Sequence, residues 1–137
     1  MRPAFGFREH AHTADWELEV WAPDLATLLQ QAAQGMYALL GVKLDSSSTE
    51  ERSLAIHASD AEGLLVRFLT ELLWLEQEEG LAFDHLSINT NADSDLWADL
   101  TGGQITNLDK EIKAVTYHNL KVETDASGLR VNIVFDV

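Results

Sequence analysis

The chain opens with a period-two pattern: Phe5 and Phe7, then Trp16, Leu18 and Val20, alternate with smaller or polar residues, as strands with one buried face do. Between them, His10-Ala11-His12-Thr13-Ala14-Asp15 reads as a connection. The period then becomes helical. Asp24 stands in an N-cap position, and Leu25, Leu28, Leu29, Ala32, Ala33, Met36, Tyr37 and Leu40 form one apolar stripe up to Gly41. Lys43 to Glu51, with Ser46-Ser47-Ser48-Thr49, predicts a loop, after which Leu54, Ile56 and Ala58 alternate as a strand. Ser59 with Glu62 three residues later predicts a capping box. The helix it opens carries Leu64, Leu65, Phe68, Leu69, Leu72, Leu73 and Leu75 on a wide apolar face and stops near Gly80.

Strand patterns then return. Phe83 to Asn89 alternates, Asp95 to Leu100 can pair with it, and Thr101 to Glu111, with Gly102-Gly103, reads as a loop. Asp125-Ala126-Ser127-Gly128 divides Leu120-Val122 from Leu129-Val131-Ile133-Phe135 in a terminal hairpin. Strands at both ends with two amphipathic helices between them predict an α+β fold. The expected form is a single two-layer domain over residues 1–137, with a mainly antiparallel or mixed sheet covered by two helices.

Composition agrees with one folded unit, because 46% hydrophobic and 23% charged residues in 137 can build a core but leave no room for a second domain. The absence of Cys excludes a disulfide scaffold, a thiolate zinc site and a Cys nucleophile, and is compatible with a reducing compartment. The first ten residues lack the apolar core of a secretory signal, and the most apolar stretch, Leu64 to Leu75, is broken by Arg67, Thr70 and Glu71. A cytoplasmic protein with no membrane association is the expectation. Charge changes the picture more: 9 Lys+Arg against 23 Asp+Glu give a formal net charge of −14. Such a surface repels phosphates, so strong direct binding to nucleic acid is not expected. No Lys or Arg lies between Arg67 and Lys110, so one face or end should be markedly negative.

Known catalytic signatures are absent: there is no P-loop, no Gly-x-Ser-x-Gly elbow and no His-Glu-x-x-His helix. His10, His12 and Asp15 offer imidazole and carboxylate to a metal, although hydrogen bonds that shape a turn are the plainer reading of so short a cluster. His57, His85 and His118 alternate with apolar residues in predicted strands and are expected to face solvent or bond locally. Lys113 is one of few cations and follows the predicted loop, where an ordinary solvated lysine is the plainer reading. Trp16, Trp21, Trp74 and Trp97 can anchor partners, but half-buried packing is the commoner reason for each. The last strand stops at Asp136-Val137, where a fixed terminus would add its carboxylate and main-chain oxygen to Asp136, as Ca²⁺, Mg²⁺ or Mn²⁺ prefer.

Three segments, in this order and spacing, resemble the archease family: His12-Thr13-Ala14-Asp15, Glu111-Ile112-Lys113-Ala114-Val115-Thr116-Tyr117-His118, and Phe135-Asp136-Val137. The likeness extends over essentially the whole chain, including the alanine-rich first helix with Met36 and the leucine-rich second helix. Archeases are small partners of the RNA-splicing ligase that joins 2′,3′-cyclic-phosphate and 5′-hydroxyl RNA ends. The resemblance implies an α+β fold and a non-catalytic activator that promotes ligase guanylylation and multiple turnover in tRNA splicing or RNA repair. It also implies a divalent cation, calcium first and magnesium or manganese as alternatives, held by Asp15, Asp136 and Val137. Lys113 is implied in ligase activation, with His12 matching the motif beside it. Two departures stand out: residues 102–110 lack the His or Pro common in relatives, and His10-Ala11 replaces an apolar-acidic lead-in. Two other functions compete. One is a chaperone-like modulator of RNA-modifying enzymes such as a tRNA methyltransferase. The other, ranked last for want of a water-activating base or substrate pocket, is a metal-dependent hydrolase using His10, His12, Asp15 and Asp136.

Overall fold

The structure, a computed structural model, describes residues 2–11 and 15–137. In chain order the elements are β1 (Gly6–Ala11), β2 (Asp15–Ala22), α1 (Leu25–Leu40), β3 (Lys43–Leu44), β4 (Glu50–His57) and α2 (Ala61–Glu79). β5 (Leu81–Asn91), β6 (Asp95–Asn107), β7 (Ala114–Thr116), β8 (Glu123–Asp125) and β9 (Gly128–Asp136) follow. The fold is α+β, with two helices and antiparallel pairing throughout, and its strands are divided between two sheets. One runs β1-β2-β9-β7 with β8 also on β9; in the other, β6 pairs with β3, β4 and β5.

Both helices touch both sheets: α1 packs on β1, β2 and β5, and α2 on β4, β5 and β7. For this reason α1 is buried around most of its circumference, Gln31, Gly35 and Leu39 included, and not along a single stripe. The period-two pattern of β2 turns Leu18, Val20 and Ala22 toward the helices, opposite Ile133, Val131 and Leu129 of β9. Leu28, Leu29, Met36, Phe68, Leu69 and Leu72 fill the centre. Each such side chain contributes roughly 1.5–3 kcal/mol by leaving water. No helix of the described chain is long and apolar enough to cross a membrane.

The helix ends follow from side-chain chemistry, with one correction. Asp24 Oδ1 accepts from Thr27 N at 2.8 Å, and Gly41, at φ 66°, closes α1 in the left-handed conformation. The capping box expected at Ser59 is not formed. Asp60, an equally good cap one residue later, accepts from Gly63 N at 2.7 Å, while the Glu62 carboxylate accepts from Val122 N at 2.7 Å and ties α2 to a distant segment.

Other boundaries also differ from expectation. The predicted loop from Thr101 to Glu111 is strand as far as Asn107. Gly102 is needed there because a Cβ would run into the Ala82 carbonyl, where β5 bulges between Phe83 and His85. The loop predicted from Lys43 to Glu51 contains β3 and the first residues of β4, and the strand predicted at Leu120-Val122 lies instead at Glu123–Asp125. Here polar strand residues gain their order from ladder hydrogen bonds that carry no hydropathy signal. His10 belongs to β1 and Asp15 to β2, so the predicted connection between them is shorter than expected. His118 sits in a turn and not in a strand, whereas exposed His57, on β4, meets Asp95 at 2.7 Å as a local partner.

The last turn of α2 holds Glu76, Glu78 and Glu79 and no basic residue, which opposes the helix dipole. Arg52 answers Glu79 at 2.9 Å. Glu76 has no such partner among the described residues; burial, and then the nearby Glu111 charge, push its carboxyl above the usual range. A carboxyl raised by folding costs stability while ionised, and the cost disappears once pH falls below the unfolded-state value, about 4.3. Glu76→Gln should therefore raise the melting temperature at pH 7 and give no gain near pH 3.5, as read by thermal denaturation at the two pH values. Asp60→Ala should cost about 1 kcal/mol in denaturant unfolding, whereas Ser59→Ala should cost a few tenths at most.

Candidate functional site

The β2–β9 register creates the site's frame. Asp15 lies directly opposite Asp136, with Trp16 opposite Phe135 in the next row, and on the other side of β9 Ala114 lies opposite Asp136. Because Leu18 and Val20 face the helices, Asp15 and Asp136 share the outer face of this sheet. Side chains opposed in this way stand with Cβ atoms about 4.5–5.5 Å apart, and like charges so placed destabilise a sheet. Asp136 is exposed and Asp15 half-buried, so the pair presents hard oxygen donors at the accessible end of the sheet. Val137 follows directly, its side chain packed against the core and its main chain beside Asp136.

Lys113 reaches this frame through its backbone: its N–H donates to the Asp136 carbonyl at 2.7 Å. Its exposed side chain lines a separate cleft with Glu76, Gln77, Glu111 and Ile112. Gln77 Nε2 donates to the Ile112 carbonyl at 3.0 Å, and the Ile112 side chain, 2% exposed, anchors the segment in the core. Lys110 places its Nζ 3.3 Å from the centroid of the Trp16 ring, next to Asp15 in the chain. The predicted residues Asp15, Asp136, Val137 and Lys113 thus converge on one sheet end, with the lysine ammonium set apart in its own cleft.

His12 lies outside the described residues. His10 sits opposite Glu17, with Nε2 3.6 Å from Glu19 Oε1, in a second cluster on the same face. There Arg2, bonded to Glu19 at 2.6 Å, holds the Glu19 carboxyl below the usual range against its partial burial, and His10 and Arg130 add to the effect. Glu19 is thus the carboxylate beside the His10 ring. Among the described residues, no three His, Asp or Glu side chains gather into a metal cluster. A cation at Asp15 and Asp136 would draw its further ligands from main-chain oxygens. That all-oxygen set fits Ca²⁺, Mg²⁺ or Mn²⁺ and lacks the nitrogen and sulfur ligands of a tight zinc site.

Sequence reading passed over Gln77, Lys110, Trp16 and Ile112 as contributors to this end. Gln77 stands in an acidic run that resembles a solvated helix end, and Lys110 stands in a stretch expected to be loop. Only the buried apolar character of Ile112 and Trp16 carried a signal, and it pointed to packing.

The Archease protein family model (MTH1598/TM1083) matches residues 7–137. A protein archease from Methanopyrus kandleri is 30% identical over 139 residues, covering 96% of this chain and 99% of the relative. An archease-like protein from Dictyostelium discoideum is 29% identical over 137 residues, covering 92% and 89%. The crystal structure of an archease from Thermotoga maritima, described as a possible chaperone, superposes with a TM-score of 0.70 at 26% identity, covering 100% of this chain and 97% of that one. Protein 1598 of Methanobacterium thermoautotrophicum, 21% identical with a TM-score of 0.68, shares the fold. The chain belongs to the archease family.

Proposed function

We propose that this protein is a non-catalytic, cytoplasmic activator of an RNA-splicing ligase, promoting its guanylylation and multiple turnover in tRNA splicing or RNA repair. The observation that supports it most is the juxtaposition of Asp15 with Asp136 across β2 and β9, with Lys113 hydrogen-bonded to the backbone of Asp136. Asp15, Asp136 and the main chain at Val137 would hold a divalent cation, calcium first and magnesium or manganese as alternatives. Asp15 and Asp136 would supply the carboxylates for such a cation, whose positive charge would offset the repulsion between them where β2 begins and β9 ends. His12, three residues before Asp15 in the family motif, is assigned to ligase activation with Lys113 on the motif alone.

Lys113 acts as a point charge on a flexible stem, presented from a cleft that the acidic end of α2 helps to line. Its targets on a ligase are anionic: a phosphate of bound nucleotide or a carboxylate of a mobile segment. The net charge of −14 suits docking against a cationic active-site entrance that ordinarily receives RNA, and it disfavours RNA as a direct ligand. A second reading, a chaperone-like modulator of RNA-modifying enzymes such as a tRNA methyltransferase, draws on the description of the Thermotoga relative. It predicts contacts that dissolve as ionic strength rises and do not depend on Lys113.

In a guanylylation time course with the matching ligase, the protein alone should join no RNA and should speed guanylate transfer when added to the ligase. Lys113→Ala, with its fold verified by circular dichroism, should lose about tenfold or more of the stimulation at saturation, equivalent to about 1.4 kcal/mol of barrier. Full stimulation by this variant would refute the lysine assignment. In thermal denaturation, calcium should stabilise the parent by about 2.7 kcal/mol at a hundred times its dissociation constant and should leave Asp136→Asn unmoved. In chelator, Asp136→Asn should melt no lower than the parent, because it removes one of two opposed charges. An equal calcium response in both proteins would refute the metal assignment.

A further inference from the structure

We propose that residues 108–113 form a strap whose two side-chain clamps, Gln77 and Lys110, fix the Lys113 backbone beside Asp136 and so set where its side chain emerges; the role given to Lys113 rests on the ligase-activating reading above. The strap lies between β6 and β7 and belongs to no helix or sheet ladder, so its backbone groups depend on individual partners. Four hydrogen bonds supply them, and a cation–π contact adds a fifth tether. Asp109 N and Lys110 N both donate to the Leu40 carbonyl, at 2.8 and 3.3 Å, at the end of α1. Lys110 Nζ lies 3.3 Å from the Trp16 ring centroid. Gln77 Nε2 holds the Ile112 carbonyl at 3.0 Å, and Lys113 N–H reaches the Asp136 carbonyl at 2.7 Å.

Each side-chain clamp joins the strap to an element that also shapes the site. Trp16 is the neighbour of Asp15 on β2, so Lys110 ties the strap to the strand that supplies one carboxylate. Gln77 is the neighbour of Glu76, and both line the same cleft as Lys113. A lysine side chain has four rotatable carbons, so the space its ammonium explores is set by where its Cα is fixed. Gln77 is also the one neutral residue in Glu76-Gln77-Glu78-Glu79. A carboxylate in its place would only accept, and would face the Ile112 carbonyl with nothing to donate.

That asymmetry gives the test. Gln77→Glu keeps the shape and removes the donor; Lys110→Met keeps the stem and removes the cation; Lys110→Arg keeps a cation able to stack on Trp16. Hydrogen exchange at neutral pH on the intact protein should show the Lys113 amide exchanging about fivefold faster in Gln77→Glu and in Lys110→Met, the scale of one lost hydrogen bond. Protection within α1 should not change, and Lys110→Arg should behave as the parent. Saturated ligase stimulation should fall with the same two variants, and Gln77→Glu should add nothing in a Lys113→Ala background. Parent-like exchange at Lys113 in Gln77→Glu and Lys110→Met would overturn the clamp, as would faster exchange spread evenly over the whole molecule. Faster exchange confined to the strap, in a protein whose parent stimulates no ligase, would overturn the activation reading and leave the clamp standing.

Discussion

The pairing of β2 with β9 is the constraint on which the rest of the molecule depends. Eight residue pairs, from Asp15 with Asp136 to Ala22 with Leu129, fix an early strand against the last one. A slip of one residue would turn Leu18 and Val20 out to water and Asp15 in toward the helices. Burial of Leu18, Val20, Val131, Ile133 and Phe135 is worth roughly 1.5–3 kcal/mol for each side chain. Opposing two carboxylates in the adjoining row costs about 1 kcal/mol at most. The core therefore dictates the register, and the register imposes the carboxylate pair. Fold and site are set by one alignment of strands.

The same economy of positions governs the scarce cations. Arg2, Arg52 and Arg130 are engaged in ion pairs with glutamates, and Lys110 is stacked on Trp16. Lys113 makes no ion pair among the described residues, even though Glu76 and Glu111 line its cleft. Burial and the Glu111 charge push the Glu76 carboxyl above its usual range, so this cleft wall carries an electrostatic cost. An ammonium left unpaired in a protein of net charge −14 is free to engage an anionic group on a partner. Other acids are engaged inside the fold, with Asp24 and Asp60 capping helices, Glu62 holding Val122 N and Asp99 bonded to Ser53, while acids without such contacts add to the long-range field.

Much of this was legible in the sequence because it rests on local chemistry. Period-two alternation located β2 and β9, and Asp24, Gly41 and Gly80 marked helix ends through capping and left-handed closure. The resemblance drawn from three short segments named Asp15, Asp136, Val137 and Lys113, which the topology then gathers at one sheet end. What stayed hidden was long-range. Gly102 and Gly103 read as a loop because glycine breaks strands locally, yet Gly102 is a strand residue admitted by the close approach of β5. Ser59 and Glu62 formed a valid capping pattern that failed because Glu62 is committed to Val122, far along the chain. Gln77 carried no signal at all, since its partner is a backbone carbonyl 35 residues away. The division of the strands into two sheets, with helices touching both, was likewise invisible to a periodicity that reports one face at a time.

By facing Asp15 with Asp136, this strand register predicts a cation site at the two carboxylates. Anomalous diffraction from crystals of the intact protein grown with Mn²⁺ tests it most directly. One strong manganese peak between the two carboxylates is expected, with no peak there in Asp136→Asn. Full manganese occupancy elsewhere, with Asp15 and Asp136 turned apart and unliganded, would contradict it.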